Sequence, residues 1–214
     1  MLKWLRALIA IAPLCAASAS LGCQVSAQAP ATGPMRVALL VDTSEAAAPA
    51  ISQLRTGLAA FIDALPPEHE IVLVSTGRRV QVRVPPTTDR KKLLAGANGL
   101  LSDGGATPLA DALLEVNERF MKKADHPAFV IVTGDGPDSS VRTDDKMFNG
   151  FLQTLQTKLI PAHAIVLKYK GNGMAEAIAT LVVRASSGRL LSMSDGKALP
   201  EKLKALAELI AQGQ

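Results

Sequence analysis

Cysteine, aromatic residues and histidine are all scarce in this chain, and each shortage excludes a class of chemistry. The only two cysteines, Cys15 and Cys23, fall within the first 29 residues. The remainder of the chain therefore has no disulfide or thiol chemistry and must be held by its own core. Aromatic residues make up 3% of the sequence, too few to build the stacking platforms of a nucleic-acid binder. His69, His126 and His163 are far apart, without metal-ligand spacing, so core or surface roles are expected of them. The chain also lacks a Gly-x-Ser-x-Gly elbow, a Gly-x-x-x-x-Gly-Lys phosphate loop and a Gly-x-Gly-x-x-Gly after its first strand, which removes the common signatures of hydrolases and nucleotide binders.

What is present begins with a leader. Lys3 and Arg6 precede an uncharged apolar stretch from Ala7 to Gly22, and Ala27-Gln28-Ala29 supplies the small residues of a cleavage site. This layout predicts a signal peptide over residues 1–29, with export to the periplasm or out of the cell. Pro13 and the many Ala and Ser residues make the stretch a poor membrane span, which wants about 20 strongly apolar residues. No transmembrane segment is expected in the mature chain. Ser20-Leu21-Gly22-Cys23 offers an alternative, a lipoprotein anchored at Cys23. Losing the leader removes two basic and no acidic residues, so the formal charge of +4 falls to +2. A nearly neutral chain is a poor nucleic-acid partner. Residues 30–34 read as a linker and residues 35–212 as one domain.

Within that domain apolar runs alternate with helical patterns. Val37–Val41 is a continuous apolar run ending in Asp42, as in a strand buried on both faces. Ile51, Leu54, Leu58, Phe61, Ile62 and Leu65 recur at helical spacing until Pro66-Pro67. Ile71–Val74 reads as a strand. Val80, Val82 and Val84 alternate with polar residues, as in a half-exposed strand paired through a turn at Gly77 and ended by Pro85-Pro86. A short helix is expected over residues 90–101 and a longer one from Leu109 to Phe120. Further strands are expected at Phe129–Val132, Ala164–Leu167 and Arg189–Met193, alternating with helices through Phe148–Leu159, around Ile178–Val182 and over Leu199–Ile210.

This alternation predicts an α/β fold: a doubly wound, Rossmann-like, mostly parallel six-stranded sheet with one antiparallel edge strand and helices on both faces. In the strand order 3-2-1-4-5-6 the first and fourth strands are neighbours at the switch point, where ligands bind beyond the carboxyl ends. Asp42 ends the first strand and Asp135 follows the fourth. Three loops converge there: Asp42-Thr43-Ser44-Glu45-Ala46, Gly104-Gly105-Ala106-Thr107-Pro108-Leu109 and Thr133-Gly134-Asp135-Gly136. They carry carboxylate and hydroxyl oxygens, a donor chemistry that suits hard cations.

These residues resemble the metal-ion-dependent adhesion site of von Willebrand factor type A domains, written Asp-x-Ser-x-Ser, then a Thr before a later helix, then an Asp after the fourth strand. Thr107-Pro108-Leu109-Ala110-Asp111-Ala112-Leu113 looks very like the family's Thr-Pro-Leu-x-x-Ala-Leu segment. The similarity runs from Met35 to about Gln212. It implies metal ligands at Asp42, Ser44, Thr107 and Asp135, with Mg²⁺ or Mn²⁺ as the ion and Ca²⁺ as a further candidate. It also implies a non-enzymatic module for protein–protein interaction or adhesion, in which an acidic side chain of the partner completes the coordination. The chain departs from the pattern at two places: Ala46 stands where the second Ser belongs, and Gly134 separates Thr133 from Asp135, with Asp138 as a substitute.

The same residues have plainer readings. Asp42 and Ser44 would suit a helix cap, Thr107 an N-cap before Pro108, and Asp111 a first-turn charge favoured by the helix dipole. Arg78, Arg79, Arg83, Arg90, Lys91 and Lys92 make a basic patch near the edge strand, usually a solvated face and otherwise a contact surface. Two alternatives to the metal-dependent module follow: a metal-independent envelope scaffold using the basic edge, and a hydrolase with metal-bound water between Asp42 and Asp135.

Overall fold

In the computed structural model, residues 33–169 and 173–213 are described. The leader, Cys15, Cys23 and most of the linker lie outside them. The strands are β1 (Arg36–Val41), β2 (Glu70–Gly77), β3 (Arg79–Thr87), β4 (Pro127–Gly134), β5 (Ala162–Leu167) and β6 (Leu190–Met193). The helices are α1 (Ile51–Ala64), α2 (Arg90–Asn98), α3 (Leu109–Val116), α4 (Asp145–Thr157), α5 (Met174–Arg184) and α6 (Leu199–Ala211). Among the described residues no helix is long and apolar enough to cross a membrane.

The strands form one sheet in the order β3-β2-β1-β4-β5-β6. Every pairing is parallel except β2 with β3. The expected doubly wound sheet with one antiparallel edge is therefore the observed one. Because β1 is covered on both sides, its side chains alternate between two cores. Val37, Leu39 and Val41 pack with α1, α2 and α6, while Ala38 and Leu40 pack with α3, α4 and α5. Both layers hold large side chains away from the surface: Phe61 on one side and Phe129 on the other are fully buried.

Element ends depart from the sequence reading where backbone pairing outweighs local propensity. β3 runs on through Pro85 and Pro86 to Thr87, and Ile71 pairs with Thr87 across a register shift. An edge strand tolerates proline because one row of its N–H groups has no ladder to serve. The short helix after it stops at Asn98 instead of reaching residue 101. The helix after Thr107 is α-helical only to Val116, then widens into a π-turn over Asn117–Met121.

Candidate functional site

β1 and β4 are paired in register, Val41 opposite Val132, and their loops leave toward opposite faces. The space between is a crevice of about 710 Å³, lined by Glu45, Ala46, Gly105, Ala106, Asp135, Gly136, Pro137, Tyr169, Gly173 and Met174. All three loops singled out in the sequence contribute to it. Its floor is made of small residues, and Glu45, Asp135 and Tyr169 supply its polar groups. Burial, then the charge of Asp195, pushes the Tyr169 phenol up.

Of the proposed ligands, Asp135 lines the crevice, and Asp42, Ser44 and Thr107 belong to the loops that form it. Asp42, Ser44, Thr107 and Asp135 are all buried, none more than 4% exposed. The Asp42 N–H continues the β1–β4 ladder by donating to Val132 O at 2.8 Å. Asp42 Oδ1 accepts from the Ser44 N–H at 2.7 Å. Its Oδ2 accepts from the Gly134 N–H at 2.9 Å and from the Thr133 hydroxyl at 3.2 Å. Burial pushes the Asp42 carboxyl up, against the opposing pull of its hydrogen bonds from Ser44, Gly134 and Thr133. The first and third loops are thus joined through one carboxylate. Gly134, the residue that breaks the family's spacing, makes one of these bonds, while the Asp135 N–H turns to Leu167 O of β5 at 3.1 Å.

Thr107 is held differently. Its hydroxyl donates to the Thr76 hydroxyl at 2.8 Å, and both are buried. It does not cap α3; Pro108 occupies the N-cap position without a side-chain bond. Asp138 does that work from 29 residues away, its Oδ1 accepting from the Leu109 N–H at 2.7 Å. Asp138 is therefore a helix cap. Asp111 also does more than face the dipole. It accepts from the Val141 and Arg142 N–H groups and from the Thr143 hydroxyl at 2.8–3.1 Å. Burial alone would raise Asp111, but these bonds hold it below the usual carboxylate range. Asp42 and Ser44 likewise cap no helix, since the chain turns helical only at Ala48 and α1 begins at Ile51.

The fit to a divalent cation can be judged from this geometry. Mg²⁺ wants six oxygens in a near-ideal octahedron. Ala46 offers a methyl group, packed so closely that a Cβ added at Gly136 would come within 2.6 Å of it. Both Asp42 oxygens and the Thr107 hydroxyl already have protein partners. Among the described residues, the buried side-chain atoms without one are Gln53 Oε1, Arg90 Nη1, His163 Nε2 and Glu176 Oε2, none in this set. Among the described residues no three His, Cys, Asp or Glu side chains are grouped as ligands. Asp42 is tied to Ser44 and Gly134, and Thr107 to Thr76, so these donors do not make a complete cradle.

The basic patch divides. The Arg90 guanidinium donates to the carbonyls of Leu65, Pro66 and His69 behind the end of α1. Arg83 turns inward to Ser75 and Asp103. Arg78 and Arg79 remain exposed at the β2–β3 tip. The Arg78 N–H donates to Gly104 O at 3.1 Å, and a Cβ added at Gly105 would lie 3.7 Å from Arg78. Gly104 and Gly105 both have φ +66°, a conformation that favours glycine and lets this loop lie flat under the arginine. Arg78 therefore stands on the crevice rim. Asp103 and Tyr169 were missed in the sequence. Tyr169 carried a signal, as the only Tyr and two residues past the end of a central strand; Asp103, inside a glycine-rich turn, carried none.

The sequence profile of the von Willebrand factor type A domain family matches residues 37–137. No curated protein matches the chain. Among solved structures it is similar to a von Willebrand factor type A protein from Catenulispora acidiphila, at 14% identity and TM-score 0.68, covering 84% of this chain and 43% of that one. It thus spans less than half of that protein. It is also similar to the conserved hypothetical protein BatB from Bacteroides thetaiotaomicron, at 12% identity and TM-score 0.64, covering 84% of this chain and 98% of that one. An aerotolerance-related membrane protein from Bacteroides fragilis matches at 11% identity and TM-score 0.61, covering 82% and 99%. At such identities the likeness is one of fold. The family profile thus covers β1 to the loop after β4, and the later strands and helices continue a sheet of the same fold as these structures.

Proposed function

We propose that this domain is an exported, non-enzymatic module that binds another protein through the crevice above β1 and β4, with the β2–β3 tip as its second contact. Domains of this family commonly mediate protein–protein interaction. The observation that carries the reading is the seat of Arg78 against Gly104 and Gly105, which joins the exposed arginines and the crevice into one surface. Glu45 adds an exposed carboxylate to the same rim. A partner offering acidic groups to Arg78 and Arg79 fits this surface, and such charges set orientation and encounter rate. A hydrolase has less support, because no histidine or lysine lines the crevice among the described residues.

The test is retention of the native partner, quantified by co-purification from the source organism. Arg78→Glu with Arg79→Glu is expected to abolish retention, whereas removing divalent metal with a chelator leaves it intact. The reverse pattern would contradict a metal-independent contact.

The three loops that carry Asp42, Ser44, Thr107 and Asp135 all line one crevice, which supports a second reading, in which Mg²⁺ or Mn²⁺ binds there and receives an acidic side chain of the partner. It predicts that metal at ten times its Kd adds about 1.4 kcal/mol, a rise of about 3–6 °C in melting temperature. The rise should vanish in Asp42→Ala and grow in Ala46→Ser. An unchanged melting temperature at millimolar metal, in folded protein, removes this reading.

A further inference from the structure

The residue between the two buried oxygen donors of the first loop, Thr43, faces away from the crevice. It is held from outside. Its hydroxyl donates to Asp103 Oδ2 at 2.7 Å, and its carbonyl accepts from the Asp103 N–H at 2.8 Å and from the Ser102 hydroxyl at 3.3 Å. Asp103 Oδ2 also receives Arg83 Nη2 at 2.9 Å. Arg83 Nε in turn donates to the Ser75 hydroxyl at 2.7 Å. Two residues on, the Glu45 N–H donates to Gly105 O at 3.0 Å. Thus residues 102–105 grip the Asp42–Glu45 loop at two points, and Arg83 anchors the grip to the sheet.

The geometry points to Asp103 as the positioning residue of the crevice, a clamp that fixes the Asp42-Thr43-Ser44-Glu45 loop and couples it to the β2–β3 hairpin. This deepens the protein-binding reading above and rests on it for its functional meaning. Three features independently suit such a clamp. Thr43 is fully buried although it lies in a loop, so its one hydroxyl needs a partner. Gly77 sits where an added Cβ would come within 2.6 Å of the Thr43 hydroxyl and 2.7 Å of Asp103 Cβ, so a larger residue would push the two apart. The hairpin also reaches the clamp loop through Arg78 and Gly104, so the exposed arginines and the crevice loop share one support. A load on Arg78 from a bound partner is then felt at Thr43. Asp103 touches no ligand in this account; it acts by holding Thr43.

Amide hydrogen exchange on the full chain, resolved by residue, tests the clamp without any partner. Asp103→Ala and Thr43→Val should each speed exchange at Ser44 and Glu45 by at least about tenfold while the amides of β1 and β4 keep their protection, because local opening is governed by local contacts. Asp103→Asn, which keeps an acceptor for Thr43 but loses the charge facing Arg83, should lie between wild type and Asp103→Ala. Thr43→Val leaves no buried charge unpaired, so it remains informative if Asp103→Ala folds poorly. Unchanged exchange at Ser44 and Glu45 would overturn the clamp, and so would a uniform rise that includes β1 and β4. The result does not depend on Arg78→Glu with Arg79→Glu, so the clamp and the contact surface can fail separately.

Discussion

Leu159 shows how a single residue can oppose its own backbone. It follows α4 with φ 52° and is 53% exposed. The Ile160 N–H donates back to Leu155 O at 2.9 Å, which closes the helix in a Schellman-type turn whose left-handed position favours glycine. A leucine there costs about 1 kcal/mol and gains little from burial. Leu159→Gly is therefore expected to raise the melting temperature by about 2–4 °C; thermal denaturation measures it, and a fall would show that Leu159 has a packing role. His163 is a second case. It is buried in β5, its Nδ1 accepting from the Arg189 N–H at 3.2 Å. Burial, aided by the charge of Arg189, lowers its pKa to about 4. The folded value lies below the unfolded one of about 6.5, so the unfolded chain takes up the proton first. The stabilisation is complete above pH 6.5 and is lost as the pH falls toward 4, on the order of 3 kcal/mol. Denaturant titrations across this range should show that loss in wild type and a much shallower one in His163→Gln.

At the scale of elements, α3 depends on the segment that follows β4. Its first N–H groups are met by Asp138 and Ser140, and Asp111 returns bonds to residues 141–143. The Thr107 and Asp135 loops therefore behave as one unit, also joined by the Ser139 N–H to Thr107 O at 2.8 Å. Asp138→Ala should lower stability by about 1 kcal/mol, as the loss of a cap does. Asp111→Ala should cost more, because it removes several hydrogen bonds to one buried carboxylate at once. Calorimetry of the two variants measures the order; equal or negligible effects would mean that residues 138–143 are not bound to α3 as described. None of this was legible in the sequence. Thr107 before Pro108 has the local look of a cap, and the true cap lies about 30 residues away, where only the fold brings it near. Likewise Arg83 and Arg90 belong to a run of basic residues that looks like one exposed patch, yet each side chain turns back to a partner from another element. The strands, by contrast, were legible, because burial on both faces writes itself as unbroken runs such as Val37–Val41 and Phe129–Val132. Their order is the commonest of the few that right-handed crossovers leave to such an alternation.

At the scale of the molecule, the switch point between β1 and β4 decides where function can reside, because there the loops after β1 and β4 separate and leave a crevice. The position of Asp42 and Asp135 at that point could be read from the sequence. The position of Arg78 on the rim could not, since it follows from two left-handed glycines and a hairpin that leans over them. The most direct measurement is site-specific photo-crosslinking in the source organism, with the probe introduced at Glu45, at Arg79, or at Lys158. Lys158 is exposed and lies just past α4, at the opposite end of the sheet from the crevice. The account predicts a discrete protein adduct from Glu45 and Arg79 that disappears when Arg78→Glu is added, and none from Lys158. The same adduct from all three positions, or an adduct from Lys158 alone, would contradict it.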